Sequence, residues 1–273
     1  MNMHKISTIQ IEGIYNEDCV LTITKLQEGS IDLVVTSPPY DNLRTYTGFT
    51  LDIDKVVSGL YRIIKAGGVV VWVTNDATIK GSESGTSFRT ALKFIQEGFN
   101  LHDTMIWVKP HFANPSSNRC HQVFEYMFVF TKGKPKTFNP IKDVPIKYGK
   151  PFGKTSLRLQ DGSIKNTDTI RQSNGSYGGR SNVWRMNTVG QQNIGTKPHH
   201  PAMFPIELAK DHIKMWSNEN DIVYDPFLGG GTTGKAALIL GRKFLGSEIS
   251  TEYCKSASNF IYEGSTTIED TGL

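Results

Sequence analysis

Two short stretches hold residue types whose spacing could do chemistry. The first is Thr36-Ser37-Pro38-Pro39-Tyr40, which closes the apolar run that starts at Ile31. Proline has no N–H to give to a ladder, so Pro38 and Pro39 end a strand and stiffen the backbone beyond it. The Ser37 hydroxyl, the Pro38 carbonyl and the Tyr40 ring are then held in nearly fixed relation. Such a loop can grip a flat, polar object. The second stretch runs from Asp225 through Pro226, Phe227, Leu228, Gly229, Gly230, Gly231, Thr232, Thr233 and Gly234 to Lys235. Glycines let backbone turn sharply and approach a ligand. The helix expected after them offers free N–H groups.

The glycine stretch admits three readings. Gly229 to Lys235 nearly matches a P-loop, but Ala236 stands where a magnesium-binding Ser or Thr is needed. Gly229, Gly231 and Gly234 also match the dinucleotide fingerprint G-x-G-x-x-G. Glu248 follows nineteen residues after Gly229, at the end of a predicted strand, where a carboxylate can accept ribose hydroxyls. That pattern serves any adenosine cofactor, including NAD. The third reading is a tight turn with no ligand.

The elements that must position these stretches alternate. Residues 31–36 read as a buried parallel strand and 69–74 (VVVWVT) as another. Residues 54–65 have helical apolar spacing, and Phe88, Leu92, Ile95 and Phe99 are placed on one helical face. Strands are predicted over 104–108 and 123–131, a helix over 205–216, a strand over 221–224, a helix over 232–240, a strand over 243–249 and a helix over 252–261. This is the pattern of an α/β sheet. About forty residues follow the glycine turn, too few to complete a doubly wound sheet, so the remaining strands come from upstream. Residues 135–197 show no sustained period and are rich in Gly, Ser, Asn, Lys and Arg. A structureless stretch of that length within a domain is commonly functional.

Composition narrows the class. With 38% hydrophobic and 21% charged residues, the chain suits a globular protein of one large domain or two small ones. No run approaches the roughly 18 apolar residues of a membrane span. The start lacks the apolar stretch of a signal peptide. Cys19, Cys120 and Cys254 are widely spaced, so neither a disulfide framework nor a zinc site is expected, and a cytoplasmic, reducing setting is. Cys120-His121 and His199-His200 lack further ligands at suitable spacing, and no metal is expected. Net charge is +4, but residues 132–200 hold 13 Lys and Arg against 3 Asp and Glu. A segment so basic and so poor in core residues points to a polyanion.

Together these stretches resemble the DNA amino-methyltransferases that use S-adenosylmethionine. The order resembles their β class, in which catalytic motifs precede the target-recognition region and cofactor motifs come last. TSPPY resembles motif IV, HPAMFP from His200 motif X, DPFLGGGTT from Asp225 motif I, and GSEIS with Glu248 motif II. Tyr15-Asn16-Glu17-Asp18-Cys19 resembles the N-terminal element whose acid contacts adenine, with Glu17 where Gly often stands. Ile106-Trp107-Val108-Lys109-Pro110 and Phe124-Glu125-Tyr126 also resemble family segments.

The resemblance implies an α/β, Rossmann-like class I methyltransferase fold. Its doubly wound, mostly parallel sheet would have circularly permuted motif order and an inserted target-recognition region. Residues 1–133 would form the catalytic half, 134–197 the insertion and 198–273 the cofactor half. The implied reaction methylates the exocyclic amino group of a base flipped out of double-stranded DNA. That nitrogen is a poor nucleophile because its lone pair is delocalised. Ser37, Pro38, Pro39 and Tyr40 form the catalytic loop, in which two acceptors draw the nitrogen toward tetrahedral geometry and Tyr40 stacks on the base. No covalent enzyme intermediate is needed, and the Pro-Cys pair of C5-cytosine methyltransferases is absent from the sequence.

Ser in the first motif position favours N4 of cytosine over N6 of adenine. S-adenosylmethionine would meet Asp18, Thr36, His200, Ala202, Phe204, Asp225, Phe227, Gly229, Gly231, Thr232, Thr233 and Glu248. Arg171, Asn174, Arg180, Asn182 and Arg185 are the candidate DNA readers. The glycine-rich stretch around Asn174 and Arg180 is expected to order on binding DNA. A cognate restriction endonuclease and a homodimer are further partners the family implies. Other classes leave more unexplained. An NAD-dependent oxidoreductase gives no role to TSPPY or to the basic segment, and a DNA-binding module with a vestigial cofactor site gives none to intact motifs IV and I. Which cofactor binds separates the first, and methyl transfer the second.

Overall fold

The computed structural model describes residues 12–39, 51–112, 115, 117–145, 155–167, 177–188 and 203–262. Tyr40, Arg171, Asn174, His200 and Ala202 lie outside the described residues. The chain forms two compact units, one of Met1–Asn139 with Asn182–Leu273 and one of Pro140–Ser181.

The larger unit contains β1 (Gly13–Tyr15), α1 (Cys19–Lys25), β2 (Ile31–Thr36), α2 (Ile53–Ile63), β3 (Ile64–Thr74), β4 (Thr78–Ile79), β5 (Ser82–Glu83), α3 (Thr86–Glu97), β6 (Asn100–Val108) and β7 (Phe124–Thr131). After the smaller unit, with β8 to β11, it resumes with β12 (Val183–Arg185), α4 (Ile206–Trp216), β13 (Ile222–Asp225), α5 (Thr232–Ile239), β14 (Lys243–Ser247) and α6 (Thr251–Tyr262). Eight of these strands make one sheet in the order β1-β14-β13-β2-β3-β7-β6-β12. All neighbours pair parallel except β7, which is antiparallel to both β3 and β6. From β13 the chain crosses through α5 to β14. From β2 it crosses through α2 to β3, in the opposite direction. The strand order therefore reverses between β13 and β2, and a ligand crevice opens at such a point beyond the strands' carboxyl ends.

Alternation along the strands divides two cores. Val34, Val70, Trp72, Phe128, Phe130, Tyr224 and Leu245 join Ile23 of α1, Val56 and Leu60 of α2 and Phe94 of α3 in one buried cluster. Phe94 stacks on Phe130 at 4.1 Å between ring centroids. On the other face His212 of α4 meets the Met127 sulfur at 3.4 Å, and its ring lies 4.6 Å from that of Trp184 on β12. Strands buried on both faces are why these segments read as near-continuous apolar runs.

The structure departs from the periodicity in three places. β3 starts at Ile64, not at residue 69, because Ile64 pairs with Ile31 ahead of an irregularity in the ladder. In α3 the buried residues are Ser87, Thr90, Ala91 and Phe94, while Phe88, Leu92 and Ile95 are exposed. The apolar stripe predicted there faces outward because Ser87 and Thr90 turn inward. Finally, the segment expected to lack structure contains β8 (Lys142–Pro145), β9 (Thr155–Arg158), β10 (Ile164–Thr167) and β11 (Tyr177–Gly179). They pair antiparallel as β8–β11 and β9–β10. Strands of three or four residues are too short to show a period. The smaller unit is also narrower than 134–197, since residues 134–139 and 182–188 belong with the larger one.

Gly234 shows how closely α5 is packed. A Cβ there would stand 2.6 Å from Ile261 Cδ1 and 2.7 Å from Phe244 Cε1. Alanine favours a helix over glycine by about 1 kcal/mol, but overpacking costs roughly 1–3 kcal/mol. The Phe244 ring cannot swing aside as a flexible tip can, so Gly234→Ala is expected to destabilise the fold by about 1–2 kcal/mol. Urea unfolding measures this, and an unchanged or raised midpoint would contradict it.

Candidate active site at the carboxyl edge of the sheet

The carboxyl ends of the parallel strands and the amino end of antiparallel β7 share one edge of the sheet. At its centre the β13–β2 ladder pairs Val223 with Leu33 and Tyr224 with Val34. Just past the ladder, Thr36 Oγ1 donates to Asp225 Oδ1 at 2.6 Å, across 189 positions of sequence. Both side chains are buried. The Phe227 N–H donates to the same oxygen at 3.0 Å, and Thr233 Oγ1 donates to the Val35 carbonyl at 3.1 Å. Burial pushes the Asp225 carboxyl up to about 6. Hydrogen bonds from Thr36, Thr233 and the Phe227 N–H oppose that rise, and the Glu248 charge adds to it.

Ser37, half-buried, and Pro38, buried, follow directly on the Thr36 anchor, with Pro39 half-buried beyond. The glycine turn lies on the other side of the bridge. Gly229 and Gly231 have φ of 51° and 87°, the left-handed region that favours glycine. Gly231 is the N-cap of α5, and no side chain caps that helix. Thr232 Oγ1 is buried and has no hydrogen-bond partner among the described residues. An uncapped helix start beside an orphaned hydroxyl leaves donors for a ligand.

Glu248 follows β14. Its Oε2 accepts the Gly229 N–H at 2.9 Å and its Oε1 the Ser250 N–H at 2.8 Å. Burial raises its carboxyl above the usual range, and those two N–H groups act the other way. Each oxygen keeps a lone pair for a ligand hydroxyl. The Asn16 amide donates to the Glu248 and Ile249 carbonyls at 2.9 and 3.2 Å, fixing the end of β1 beside that of β14. Asp18 caps α1, its Oδ1 accepting the Val20 N–H at 2.7 Å. Glu17 pairs with Lys25 and accepts the Thr22 hydroxyl at 2.8 Å. Phe227 packs its ring edge-on to Trp72 at 5.9 Å, and Phe204 is buried just ahead of α4.

The rim beyond β3 escapes sequence reasoning. The Asn75 amide donates to the Phe124 carbonyl at 3.2 Å and accepts from Gln122 Nε2 at 2.8 Å. Asp76 is buried and accepts from the Ser84 hydroxyl at 3.1 Å and the Ser87 N–H at 2.9 Å. Lys109 pairs with Glu125 and lies 5.1 Å from the centre of the Trp107 ring. The available signal was the Asn75-Asp76 pair directly after the strand VVVWVT.

The DNA-reader candidates separate. Asn182 sits on the larger unit, its amide donating to Asp103 Oδ1 at 3.3 Å and to the Thr104 carbonyl at 3.2 Å. Arg185 is exposed on β12. Arg180 belongs to the smaller unit, where its Nε donates to both Asp143 carboxylate oxygens at 2.9 and 2.7 Å. That contact holds the Asp143 carboxyl below its usual range.

Comparison with known proteins follows this geometry. A DNA methylase family model (N6_N4_Mtase) matches residues 31–259. The chain is 50% identical over 237 residues to the orphan methyltransferase M.BamHII of Bacillus amyloliquefaciens, covering 84% of this chain and 88% of that one. It is 28% identical to the Type II methyltransferase M.BglII of Bacillus subtilis, over 92% and 69% of the two chains. Among solved structures it resembles the PvuII DNA methyltransferase (cytosine-N4-specific), with a TM-score of 0.66, 23% identity, and coverage of 94% and 88%. A DNA modification methylase of Thermus thermophilus complexed with S-adenosyl-L-methionine gives a TM-score of 0.60 at 24% identity, over 91% and 94%. The fold is thus the Rossmann-like class I methyltransferase fold.

The buried acid at the switch point has a measurable consequence. Asp225 titrates at about 6 in the folded chain, above its ordinary 3.8. The folded state therefore holds that proton more tightly than the unfolded state, and stability falls as pH rises between about 4 and 6. Asp225→Asn keeps an acceptor for Thr36 and removes the titration. In denaturant unfolding the variant should gain on the wild type by about 1–3 kcal/mol between roughly pH 4 and pH 7. Identical pH dependence in the two would contradict it.

Proposed function

We propose that this chain, which belongs to the DNA methylase family, transfers a methyl group from S-adenosylmethionine to the exocyclic N4 of a cytosine flipped out of double-stranded DNA. The observation that carries the reading is the bridge from Thr36 to Asp225. It ties the strand end from which Ser37 and Pro38 leave to the strand end that opens the glycine turn, whose Gly229 N–H donates to Glu248, and this supports the reading. When bound, S-adenosylmethionine supplies an electrophilic methyl group on a sulfonium. Glu248 holds the ribose hydroxyls, and the uncapped start of α5 with Thr232 Oγ1 meets the polar end of the cofactor. Phe227, Phe204, Ala202 and His200 line its apolar parts, and Asp18 faces the adenine.

On the base, Ser37 Oγ and the Pro38 carbonyl accept hydrogen bonds from the amino group. They draw its lone pair out of conjugation with the ring. Tyr40 stacks on the base and offsets part of the cost of unstacking it, a few kcal/mol. No side chain has to become covalently attached, so the high thiol pKa of Cys19, pushed up to about 12 by burial, is no obstacle. Ser rather than Asp or Asn at the first position of the motif supports cytosine. Unit Pro140–Ser181 carries eight Lys and Arg against three Asp, and supports contact with DNA phosphates through Arg171, Asn174 and Arg180. On the larger unit, Asn182 and Arg185 are further candidate readers of DNA.

The test is mass spectrometry of nucleosides from duplex DNA incubated with the protein and labelled S-adenosylmethionine. 4-Methylcytosine is expected. 6-Methyladenine would overturn the choice of base, and unlabelled DNA would overturn the reaction. Glu248→Ala should weaken S-adenosylmethionine binding by roughly 1–3 kcal/mol as two hydroxyl contacts are lost. Calorimetry showing wild-type affinity in a folded variant would remove Glu248 from the cofactor site.

A further inference from the structure

We infer that Thr36 and Asp225 are positioning residues that latch the catalytic loop to the cofactor loop, so that the glycine turn holds Ser37 in place. The inference rests on the reaction proposed above. Its ground is where the backbone ladder stops. Main-chain pairing between β2 and β13 reaches only Val34 and Tyr224. Beyond that point side chains take over. Thr36 Oγ1 reaches Asp225 Oδ1 at 2.6 Å, and Thr233 Oγ1 reaches the Val35 carbonyl at 3.1 Å. Asp225 Oδ1 also receives the Phe227 N–H at 3.0 Å, so one carboxylate oxygen ties the end of β2 to the start of the turn.

The catalytic loop needs such an anchor. Pro38 and Pro39 have no N–H, so neither can fasten the loop by a backbone donor. Thr36 is the last residue of β2, and the Ser37 backbone leaves directly from it. A tilt of the Thr36 peptide therefore moves Ser37 Oγ and the Pro38 carbonyl together. Displacements of about 1 Å at a reacting centre can cost on the order of a hundredfold in rate. The acceptor is also unusual for a merely structural tie. A carboxylate buried to 2% exposure costs more than a neutral amide, while a hydrogen bond to a charged acceptor is stronger and shorter than one to a neutral group. In this reading Thr36 and Asp225, which the resemblance puts among the cofactor residues, act instead through Ser37 and the turn.

The experiment uses the full chain with Thr36→Val, which keeps the shape and removes the donor, and Thr36→Ser, which keeps the donor. Single-turnover methyl transfer is measured with S-adenosylmethionine and duplex DNA both saturating, a condition under which simple loss of affinity does not register. Thr36→Val should be slower by roughly tenfold or more, and Thr36→Ser should recover most of the rate. The acid limb of the rate gives a second reading. Thr36 helps keep Asp225 ionised, against the Glu248 charge and burial beside Tyr224, so its loss should move that limb to higher pH. Wild-type rates in Thr36→Val, or an unmoved acid limb, would overturn the latch. If Thr36→Val does not fold, the same two readings on Thr36→Ala, which also lacks the donor, decide, and a rate and limb equal to wild type there overturn the latch. A wild-type protein that transfers no methyl group in this assay would instead defeat the proposed reaction.

Discussion

Everything at the site depends on β2 and β13 lying side by side. Val34 and Tyr224 are ladder partners although 190 residues separate them, and each motif begins within two residues of that pair. The large separation is less costly than it looks. The entropy of closing a loop grows only with the logarithm of its length, about 0.6 kcal/mol per doubling. Burial on both faces supplies the compensation. Leu33, Val34, Val35, Val223 and Tyr224 are all fully buried. With that pairing made, a hydroxyl and a carboxylate meet at the strand ends, and the two loops leave from fixed points.

The three fingerprint glycines divide their duties. Gly229 turns its N–H onto Glu248, tying the turn to the end of β14. Gly231 takes a left-handed φ and opens α5, and a Cβ on it would press on Ile261 at 3.0 Å. Gly234 lets α5 approach Phe244 and Ile261 more closely than any side chain permits. Gly246 does the same from within β14, against Phe244 and Leu228. The first two shape the loop, the third presses α5 onto β14 and α6, and Gly246 leaves room beside Phe244 for Leu228 of the turn. A pattern that fits any adenosine cofactor thus becomes specific only through what surrounds it. Here that is a carboxylate pinned by two backbone N–H groups.

The central strands and their flanking helices were legible because strands buried on both faces leave unbroken apolar runs, and because proline and glycine mark where such runs stop. The site residues were legible as separate motifs. Their contacts were not, since nothing local in Thr36 or Asp225 announces a partner so far along the chain. β1 and β12 are three residues each, below the length at which a period shows, yet they close both edges of the sheet. The stripe of Phe88, Leu92 and Ile95 misled because α3 buries Ser87 and Thr90, and Ser87 bonds to Asp76, a contact that composition does not reveal. In the basic segment, the charge balance is visible in the sequence but the side-chain pairings are not. Arg180 is committed to Asp143, and Asn182 to Asp103 and Thr104.

The late position of the cofactor motif follows from the same geometry. A parallel sheet specifies its crevice by which strands are neighbours and where the winding reverses, not by which strand comes first in the chain. β13 and β2 would meet in the same way if the segment from Asp221 onward preceded residue 31. What the permuted order changes is the connection between the halves. In this chain that connection leaves from β7 and returns through β12, two strands that lie beyond β3 in the sheet. The strands that carry the glycine turn and Glu248, β13 and β14, lie on the other side of β2. The connection can therefore change in length or sequence without altering the β13–β14 and β13–β2 ladders, because it shares no strand with them.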